Sequence, residues 1–252
     1  MSTIDLNADL GEGLGMWRMG NDDALLGVVT SANVATGFHA GDPLIMRTTC
    51  EKAASEGVTV GAHVAYRDLH GFGRRAMDIA PDELTADVLY QVSALEGIAR
   101  AAGTEVGYCK PHGGLYNTIA KDPVQARATA EALAAFRPGL AVLGLPGTPW
   151  QEAAEAAGLR FVAEAFADRA YTPEGQLVSR REPGAVLHDP VAITERCVAM
   201  ATGHPIEDVE GNPLRLTPGS ICVHGDTPGA VEIARAVRQG LEDAGTTLRS
   251  FA

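Results

Sequence analysis

The chain alternates short apolar runs with alanine-rich helical runs about seven times, and this alternation constrains the fold more than any other feature. We predict strands over Ile4–Asn7, Ala32–Ala35, Thr59–Ala62, Val106–Lys110, Ala141–Leu145, Phe161–Ala165 and Ser220–Val223. Repeated strand–helix units predict a mostly parallel sheet. A closed β/α barrel and an open doubly wound sheet are both compatible with the alternation alone.

A capping residue followed by proline marks the start of five predicted helices. Asp or Thr accepts hydrogen bonds from free N–H groups, and proline at the first helical position has no N–H to lose. Thr148 and Gln151 also match a capping box. The five pairs are Asp42-Pro43, Asp122-Pro123, Thr148-Pro149, Asp189-Pro190 and Thr227-Pro228.

The segment Tyr171–His188 interrupts the alternation and contains the turn residues Pro173-Glu174-Gly175 and Pro183-Gly184. We predict an irregular or hairpin-like excursion there. No other stretch resembles a linker. We therefore predict a single domain over residues 1–252, a length that is usual for an α/β barrel.

The first predicted strand has an unusual polar face. Asp5, Asn7 and Asp9 alternate with Ile4 and Leu6, so the polar side chains share one side of the strand. On an edge strand they would face water. Inside a barrel they would face the centre, where an unpaired carboxylate costs several kcal/mol and is tolerated where it does chemistry. The run alone leaves both interpretations open.

Polar residues cluster directly after several predicted strands. This arrangement suits a β/α barrel, whose active site is built at the C-terminal ends of its strands. We therefore favour the barrel over the open sheet.

Composition excludes some functions. The net charge is −12, with 20 basic and 32 acidic residues, which argues against binding to nucleic acid or to an anionic membrane. We see no signal peptide and no apolar run of membrane-spanning length. Four widely spaced cysteines without a C-x-x-C pair indicate reduced thiols, so we expect a soluble, cytoplasmic protein. They are Cys50, Cys109, Cys197 and Cys222.

Four of the seven histidines follow predicted strands. Parallel strands would bring them to one mouth of a barrel, where imidazole serves as a metal ligand or a general base. A lone histidine is more often structural, but four at equivalent positions beside glycines favour a site. These four are His39, His63, His112 and His224, whereas we expect His70, His188 and His204 at the surface.

We predict roles for the polar residues at the strand ends. Asp9 and His112 are the favoured acid/base pair. Lys110, one of three lysines, is the favoured anchor for a carboxylate or oxyanion. Arg169 either pairs with Asp168 or binds substrate, and these two alternatives stay open. The full prediction has Asp9, His112, Glu12 and His39 as catalytic, and Asn7, His63, Lys110, Arg169, His224 and Asp226 as substrate-binding.

Some residues and motifs are set aside. Asp42 is expected to act only as a helix cap, so it is left out of the site. The sequence has no G-x-x-x-x-G-K-[ST] P-loop, no G-x-S-x-G elbow and no H-E-x-x-H motif. A triad nucleophile therefore finds no support.

Seven motifs occur in a fixed order from Ile4 to about Asp226. They are D-L-N-A-D-L-G-E, S-A-N-V-A-T-G-F-H-A-G-D, G-A-H, G-F-G-R-R, K-P-H-G-G-L-Y, F-A-D-R-A-Y and V-H-G-D. In this combination the chain resembles the LamB/YcsF family, the A subunits of 5-oxoprolinase. The resemblance implies a seven-stranded β/α barrel related to polysaccharide deacetylases. It also implies ATP-dependent hydrolysis of 5-oxo-L-proline (pyroglutamate) to L-glutamate in a complex with two further subunits, B and C.

Two alternatives accompany this interpretation. The first is a metal-dependent deacetylase of N-acetyl sugars, in which Asp9, His39 and His63 would hold a divalent ion. The second is a non-catalytic subunit that only binds substrate. ATP is expected to be used by the complex, and the missing P-loop leaves open which subunit holds it.

Overall fold

The structure is a computed structural model of the chain and describes residues 2–225 and 229–252. Its strands are β1 Thr3–Leu10, β2 Ser31–Ala35, β3 Thr59–His63, β4 Val106–Cys109, β5 Ala141–Gly144, β6 Arg160–Phe166, β7 Ile206–Glu207, β8 Pro213–Leu214, β9 Ser220–Val223 and β10 Thr247–Leu248. Its helices are α1 Asp22–Leu26, α2 Pro43–Glu56, α3 Pro81–Ala101, α4 Gly113–Ile119, α5 Pro123–Phe136, α6 Pro149–Ala156, α7 Pro190–Ala201 and α8 Ala230–Asp243.

Seven parallel strands form a closed barrel. Strands β1 to β6 pair in chain order, β6 pairs with β9, and β9 returns to β1. The short β10 adds to the start of β1, and β7 and β8 form a small antiparallel hairpin outside the barrel. The predicted seven-stranded β/α barrel is confirmed. An open doubly wound sheet is excluded because β1 and β9 pair.

All seven predicted strands are present, with shifted ends. Strand β1 runs three residues further than predicted, so Asp9 lies within it. Strand β4 ends at Cys109, which places Lys110 just beyond the strand. Both differences concern the strand ends, where the polar residues lie.

The polar face of β1 points into the barrel. Asp5 and Asn7 are 1% and 0% exposed, and the side chain of Asn7 bonds residues of β2, β6 and β9. The edge-strand interpretation is therefore wrong. Ile4 and Leu6, on the other face, belong to the large apolar core.

Three of the predicted caps form as expected. The side chains of Asp42, Asp122 and Asp189 accept hydrogen bonds from backbone N–H groups in the first turns of α2, α5 and α7. The predicted capping box at Thr148 is wrong. The Thr148 hydroxyl donates to the Leu145 carbonyl, and the Gln151 amide oxygen accepts from the backbone N–H of residue 147. The pair Thr227-Pro228 lies outside the described residues.

The excursion predicted over Tyr171–His188 is present as an irregular loop. Two isolated bridges hold it, from Arg169 to Val186 and from Tyr171 to Leu177. The side chains of His70, His188 and His204 are exposed, as predicted. No helix among the described residues is long and apolar enough to cross a membrane.

Candidate active site

The candidate site lies where the barrel strands end. Each side chain is placed there by its position relative to a parallel strand, which explains why residues far apart in sequence meet. Asp9 lies in β1 and Glu12 follows it, His63 ends β3, Lys110 and His112 follow β4, and His224 follows β9.

A hydrogen-bonded lattice fills the polar centre of the barrel. The Asn7 amide donates to the Glu164 carboxylate at 3.2 Å and to the Ser220 hydroxyl at 2.7 Å. The Asn33 amide donates to the side-chain oxygens of Asn7 at 2.7 Å and Asp9 at 2.8 Å. Because buried polar groups need partners, this lattice is what allows the polar face of β1 to be buried.

Asp5 lies at the base of the lattice, where three hydroxyl groups surround it. The hydroxyls of Thr30, Ser31 and Ser220 all donate to its carboxylate. Burial raises the pKa of Asp5, and the three hydroxyls offset only part of that effect. Asp5 therefore supports the lattice from below.

Lys110 is the buried cation of the lattice, with only 2% of its surface exposed. Its Nζ lies 2.9 Å from Glu164 Oε1, 3.1 Å from Asp9 Oδ1, 3.2 Å from Asn7 Oδ1 and 3.0 Å from Cys222 Sγ. Burial lowers the pKa of Lys110, but the charges of Asp9, Cys222 and Glu164 outweigh burial and hold it well above its usual range. An ammonium has three N–H donors, so protein acceptors occupy all of them.

Asp9 connects the lattice to the imidazoles. Its Oδ1 lies 3.4 Å from His63 Nε2 as well as 3.1 Å from Lys110 Nζ. Burial alone would raise the pKa of Asp9, but the attraction to His63 and Lys110 outweighs burial and holds it well below its usual range. Asp9 is therefore a carboxylate at neutral pH, which makes it a proton acceptor or a ligand.

Three imidazoles and one carboxylate form a compact cluster. Glu12 Oε1 lies 3.1 Å from His39 Nε2 and 3.5 Å from His112 Nδ1. His112 Nδ1 lies 2.9 Å from His63 Nε2. The rings of His39 and His112 stack with their centroids 3.8 Å apart. We call Glu12, His39, His63 and His112 the imidazole cluster.

Burial lowers the pKa of two histidines of the imidazole cluster, His39 and His112. Burial, reinforced by the neighbouring imidazoles, holds the pKa of His39 well below its usual range. Burial and His63 lower the pKa of His112 to about 3. These two rings are therefore neutral at physiological pH, and a neutral imidazole is the form that binds metal ions.

The imidazole cluster fits a divalent metal ion. One ligand atom from each of its four residues lies within 4.8 Å of the other three. Imidazole and carboxylate are the usual donors for zinc and related ions. The predicted trio of Asp9, His39 and His63 differs from this cluster, because Glu12 and His112 belong to it and Asp9 groups instead with Cys222 and His224.

A second polar group combines His224 with Asp168. His224 Nδ1 lies 2.6 Å from Asp168 Oδ1, and the Arg180 guanidinium lies 2.7 Å from His224 Nε2. Burial raises the pKa of Asp168, but attraction to His224 and the hydrogen bond between them outweigh burial and lower it. An ionised Asp168 holds the Nδ1–H tautomer of His224, which leaves Nε2 as a basic atom.

Arg169 serves the excursion loop. Its guanidinium donates to the carbonyls of Val178 and Ala185. Asp168 bonds His224, so the structure does not support the alternative of an Arg169–Asp168 ion pair. Arg169 also lines the cavity described next, so its predicted contact with substrate stays a prediction.

A cavity of about 550 Å³ opens above these groups. Its lining includes Asp9, Glu12, His63, Lys110, His112 and His224, five further basic residues, and uncharged residues such as Phe166 and Leu177. The five basic residues are Arg74, Lys121, Arg169, Arg180 and Arg181. This concentration of positive charge in a chain of net charge −12 favours an anionic ligand. A larger cavity of about 750 Å³ beside residues 13–23 contains none of the buried histidines, so we assign the site to the smaller one.

The structure gathers most of the predicted site residues around this cavity. Asn7 lies beneath it in the lattice, His39 lies behind His112, and Asp226 falls outside the described residues. Glu164, Asp168 and Arg180 are not among the site residues predicted from the sequence. The first two follow the same pattern of polar residues at a strand end, whereas nothing local distinguishes Arg180 within its loop.

Comparisons with known proteins agree with this architecture. A sequence model of the LamB/YcsF family matches residues 4–252. The 5-oxoprolinase A subunit from Mycobacterium avium (strain 104) is 61% identical over 251 residues, covering 100% of both chains. The crystal structure of a lactam utilization protein from Thermus thermophilus superimposes with a TM-score of 0.95 at 44% identity, covering 99% of this chain and 100% of that one.

A more distant likeness concerns the fold alone. A family 4 carbohydrate esterase from Streptomyces lividans gives a TM-score of 0.50 at 12% identity, covering 100% of this chain and 93% of that one. The full-length matches at high identity, together with the confirmed seven-stranded barrel, establish that this chain belongs to the LamB/YcsF family.

Proposed function

We propose that this chain is the A subunit of an ATP-dependent 5-oxoprolinase that hydrolyses 5-oxo-L-proline to L-glutamate as ATP is converted to ADP and phosphate. The carrying observation is the full-length match, at 61% identity, to a protein named as the A subunit of 5-oxoprolinase. It acts with subunits B and C in the cytoplasm. Five basic residues that line the cavity support a substrate that carries a carboxylate, and we call them the basic rim: Arg74, Lys121, Arg169, Arg180 and Arg181.

The chemistry of a lactam defines what the site must supply. A five-membered lactam is a resonance-stabilised amide, so its carbonyl must be activated before water attacks readily. The site must then orient water, accept its proton and stabilise the oxyanion. ATP, used by the complex, supplies the activation, and the missing P-loop leaves open which subunit holds it.

His224 is the best-supported proton acceptor. His224 lines the cavity, and Asp168 holds its Nδ1 at 2.6 Å, an arrangement that orients Nε2 as a general base once Arg180 leaves it. His112, the acceptor favoured by sequence, has both ring nitrogens against protein atoms, at 2.9 Å from His63 and 2.8 Å from the Phe72 carbonyl. Asp9 remains the proposed carboxylate partner, because it is ionised and lines the cavity.

Arg180 is the proposed contact for the substrate carboxylate. It lies on the excursion loop, and its guanidinium donates to His224 Nε2 at 2.7 Å. A carboxylate attracts guanidinium more strongly than a neutral imidazole does. Substrate would therefore draw Arg180 away and free the base. Lys110 is less suited to this contact than sequence suggests, because its donors are already used.

The test is ATP-dependent release of glutamate from 5-oxoproline. We expect the chain with subunits B and C to release glutamate, and the chain alone to release little or none. His224→Ala should lower turnover about 100-fold or more, whereas the exposed His204→Ala should match the parent. Release of acetate from an N-acetylated sugar without glutamate formation would overturn the proposal in favour of the deacetylase alternative. If His224→Ala leaves glutamate release unaffected, a non-catalytic role in substrate binding becomes the better interpretation.

A further inference from the structure

We propose that the imidazole cluster binds one divalent transition-metal ion of the zinc class at the wall of the cavity, and that the G-F-G-R-R loop exists in part to orient its ligands. Binding of the ion does not depend on the identity of the substrate. Only its use in lactam hydrolysis rests on the proposed function.

Two backbone carbonyls fix the tautomers of two histidines. His63 Nδ1 lies 2.8 Å from the Lys110 carbonyl, and His112 Nε2 lies 2.8 Å from the Phe72 carbonyl. A carbonyl oxygen can only accept, so each of these nitrogens carries the hydrogen. In the neutral rings, the lone pairs are then on His63 Nε2 and His112 Nδ1.

These two lone pairs point at each other. His63 Nε2 and His112 Nδ1 are 2.9 Å apart, and neither nitrogen has a hydrogen to donate in the neutral rings. Two further acceptors approach His63 Nε2, Asp9 Oδ1 at 3.4 Å and Glu12 Oε1 at 3.9 Å. The carboxylate oxygens have donors of their own, but the two facing imidazole nitrogens repel each other unless a proton or a metal ion lies between them.

The spacing of the acceptors suits a metal ion. Bonds of about 2.0–2.1 Å to a tetrahedral zinc ion place neighbouring ligand atoms about 3.3 Å apart. The observed separations of Glu12 Oε1 from His39 Nε2 and His112 Nδ1 are 3.1 and 3.5 Å. His63 Nε2 lies 2.9 Å from His112 Nδ1 and 3.9 Å from Glu12 Oε1, one distance below that spacing and one above it.

The G-F-G-R-R loop provides the support that metal-binding histidines require. Phe72 adopts a φ of +53°, a strained conformation for a residue with a side chain, and its carbonyl holds His112. A Cβ on Gly73 would lie 2.6 Å from His39 Cβ and 2.8 Å from His112 Cδ2. The loop is anchored by Arg75, whose guanidinium bonds the Asp68 carboxylate. Such outer contacts commonly fix the orientation of metal ligands.

The two ends of the imidazole cluster differ in exposure to the cavity. Glu12, His63 and His112 line the cavity, whereas His39 lies behind them and its Nδ1 has no hydrogen-bond partner among the described residues. We therefore expect His39 to be the least constrained ligand. An ion held by these residues would supply Lewis-acid chemistry to a substrate carbonyl.

Metal binding is measured on the full chain alone, without ATP, substrate or partner subunits. After chelator treatment and dialysis, Co²⁺ is titrated while its visible absorption is followed, and Zn²⁺ is titrated by calorimetry. We expect one ion per chain. His63→Ala and His112→Ala should each weaken binding at least 100-fold, and His39→Ala should weaken it less.

Two controls separate the imidazole cluster from general effects. His70→Ala and His204→Ala remove exposed histidines and should leave affinity unchanged. Gly73→Ala should weaken binding about tenfold or more by displacing His39 and His112, with circular dichroism confirming that the chain is folded.

The alternative to a metal ion is a proton shared by the ring nitrogens of His63 and His112. In that case neither Co²⁺ nor Zn²⁺ binds stoichiometrically, and ¹⁵N NMR shows a protonated imidazole that does not change when zinc is added. That result, or equal zinc affinity in the parent and His63→Ala chains, would overturn the proposal. Zinc binding without oxoprolinase activity would leave the metal site standing and refute only the proposed function.

Discussion

Replacing Lys110 with methionine removes the cation from the centre of the barrel while keeping a side chain of similar length. Lys110 lies 2.9 Å from Glu164 and 3.1 Å from Asp9, and the side chains of these two carboxylates are 0% and 13% exposed. Without Lys110 they would face each other with no cation between them. We therefore expect Lys110→Met to lower the free energy of unfolding. If Lys110 were only a substrate anchor, the variant would lose substrate affinity and keep its stability.

The magnitude follows from the distances. At an effective dielectric of 20, one contact at about 3 Å corresponds to about 5 kcal/mol of attraction before desolvation is counted. Removing one partner of a buried ion pair typically lowers the free energy of unfolding by about 3–5 kcal/mol, because the remaining charge stays buried. For a chain of this size, that loss lowers Tm by roughly 6–20 °C.

The effect should depend on pH with a definite sign. In the parent chain the pKa of Asp9 is held well below its usual range, so its contribution to stability is present above pH ~4 and is lost as the pH falls through the lowered value. In the variant, burial should raise the pKa of Asp9 instead. Its stability should then fall as the pH rises from 5 to 8, so the difference between the two chains should be larger at pH 8.

Urea denaturation at pH 5 and pH 8 measures the effect. The matched control is Lys52→Met, which removes a half-exposed lysine paired with Glu56 and should leave the free energy of unfolding unchanged. Adding Glu164→Gln to Lys110→Met should recover part of the loss, because it removes one of the unpaired charges. A destabilisation of Lys110→Met below about 1 kcal/mol at pH 8, or one independent of pH, would refute the reasoning.

Three further predictions concern the His224–Asp168 pair, the basic residues that line the cavity and the packing of the barrel. Asp168→Asn should lower kcat of the reconstituted complex about 100-fold or more, because a neutral amide no longer holds the hydrogen of His224 on Nδ1. Circular dichroism should show that the fold is retained. Arg180→Ala should raise KM for 5-oxoproline about tenfold and change kcat less, as steady-state kinetics would show. Gly61→Ala should lower the free energy of unfolding by about 1–3 kcal/mol, since its Cβ would overlap a tyrosine ring of β4. Gly97→Ala, which points into open space on α3, should raise the free energy of unfolding by about 0.5–1 kcal/mol. Urea denaturation measures both.

The fold was accessible from sequence because its signals are local. A period of two marks the polar face of β1, and an acidic residue before proline marks a helix start, as at Asp42. The same logic failed at Thr148, where the hydroxyl bonds the Leu145 carbonyl of the preceding turn. A short hydroxyl side chain has several nearby backbone partners, and the sequence does not show which one it takes.

The sequence does not predict which of the site residues bond each other. His224 meets Asp168 across 56 positions and Arg180 across 44, and Lys110 reaches Cys222 across 112. The position of a residue at a strand end predicts which mouth it reaches, but not which neighbour it bonds. Thus the sequence predicts His224 as a site residue, yet its bond to Asp168, which makes it a candidate base, depends on the closure of the barrel.

The hydrogen-bond donors of the lattice are already used by protein acceptors, and this decides which groups are available for substrate. Both amide hydrogens of Asn7 and both of Asn33 are donated to protein acceptors, and Lys110 has more acceptors than hydrogens. A substrate could bond these groups only by breaking bonds that keep the charged centre satisfied, which the burial of that centre makes unfavourable. Recognition must therefore come from groups whose bonds are fewer or exchangeable, namely Asp9, His224 and the basic rim. The lattice fixes the position of Asp9, Asp168 fixes that of His224, and the cavity above them is where chemistry can occur.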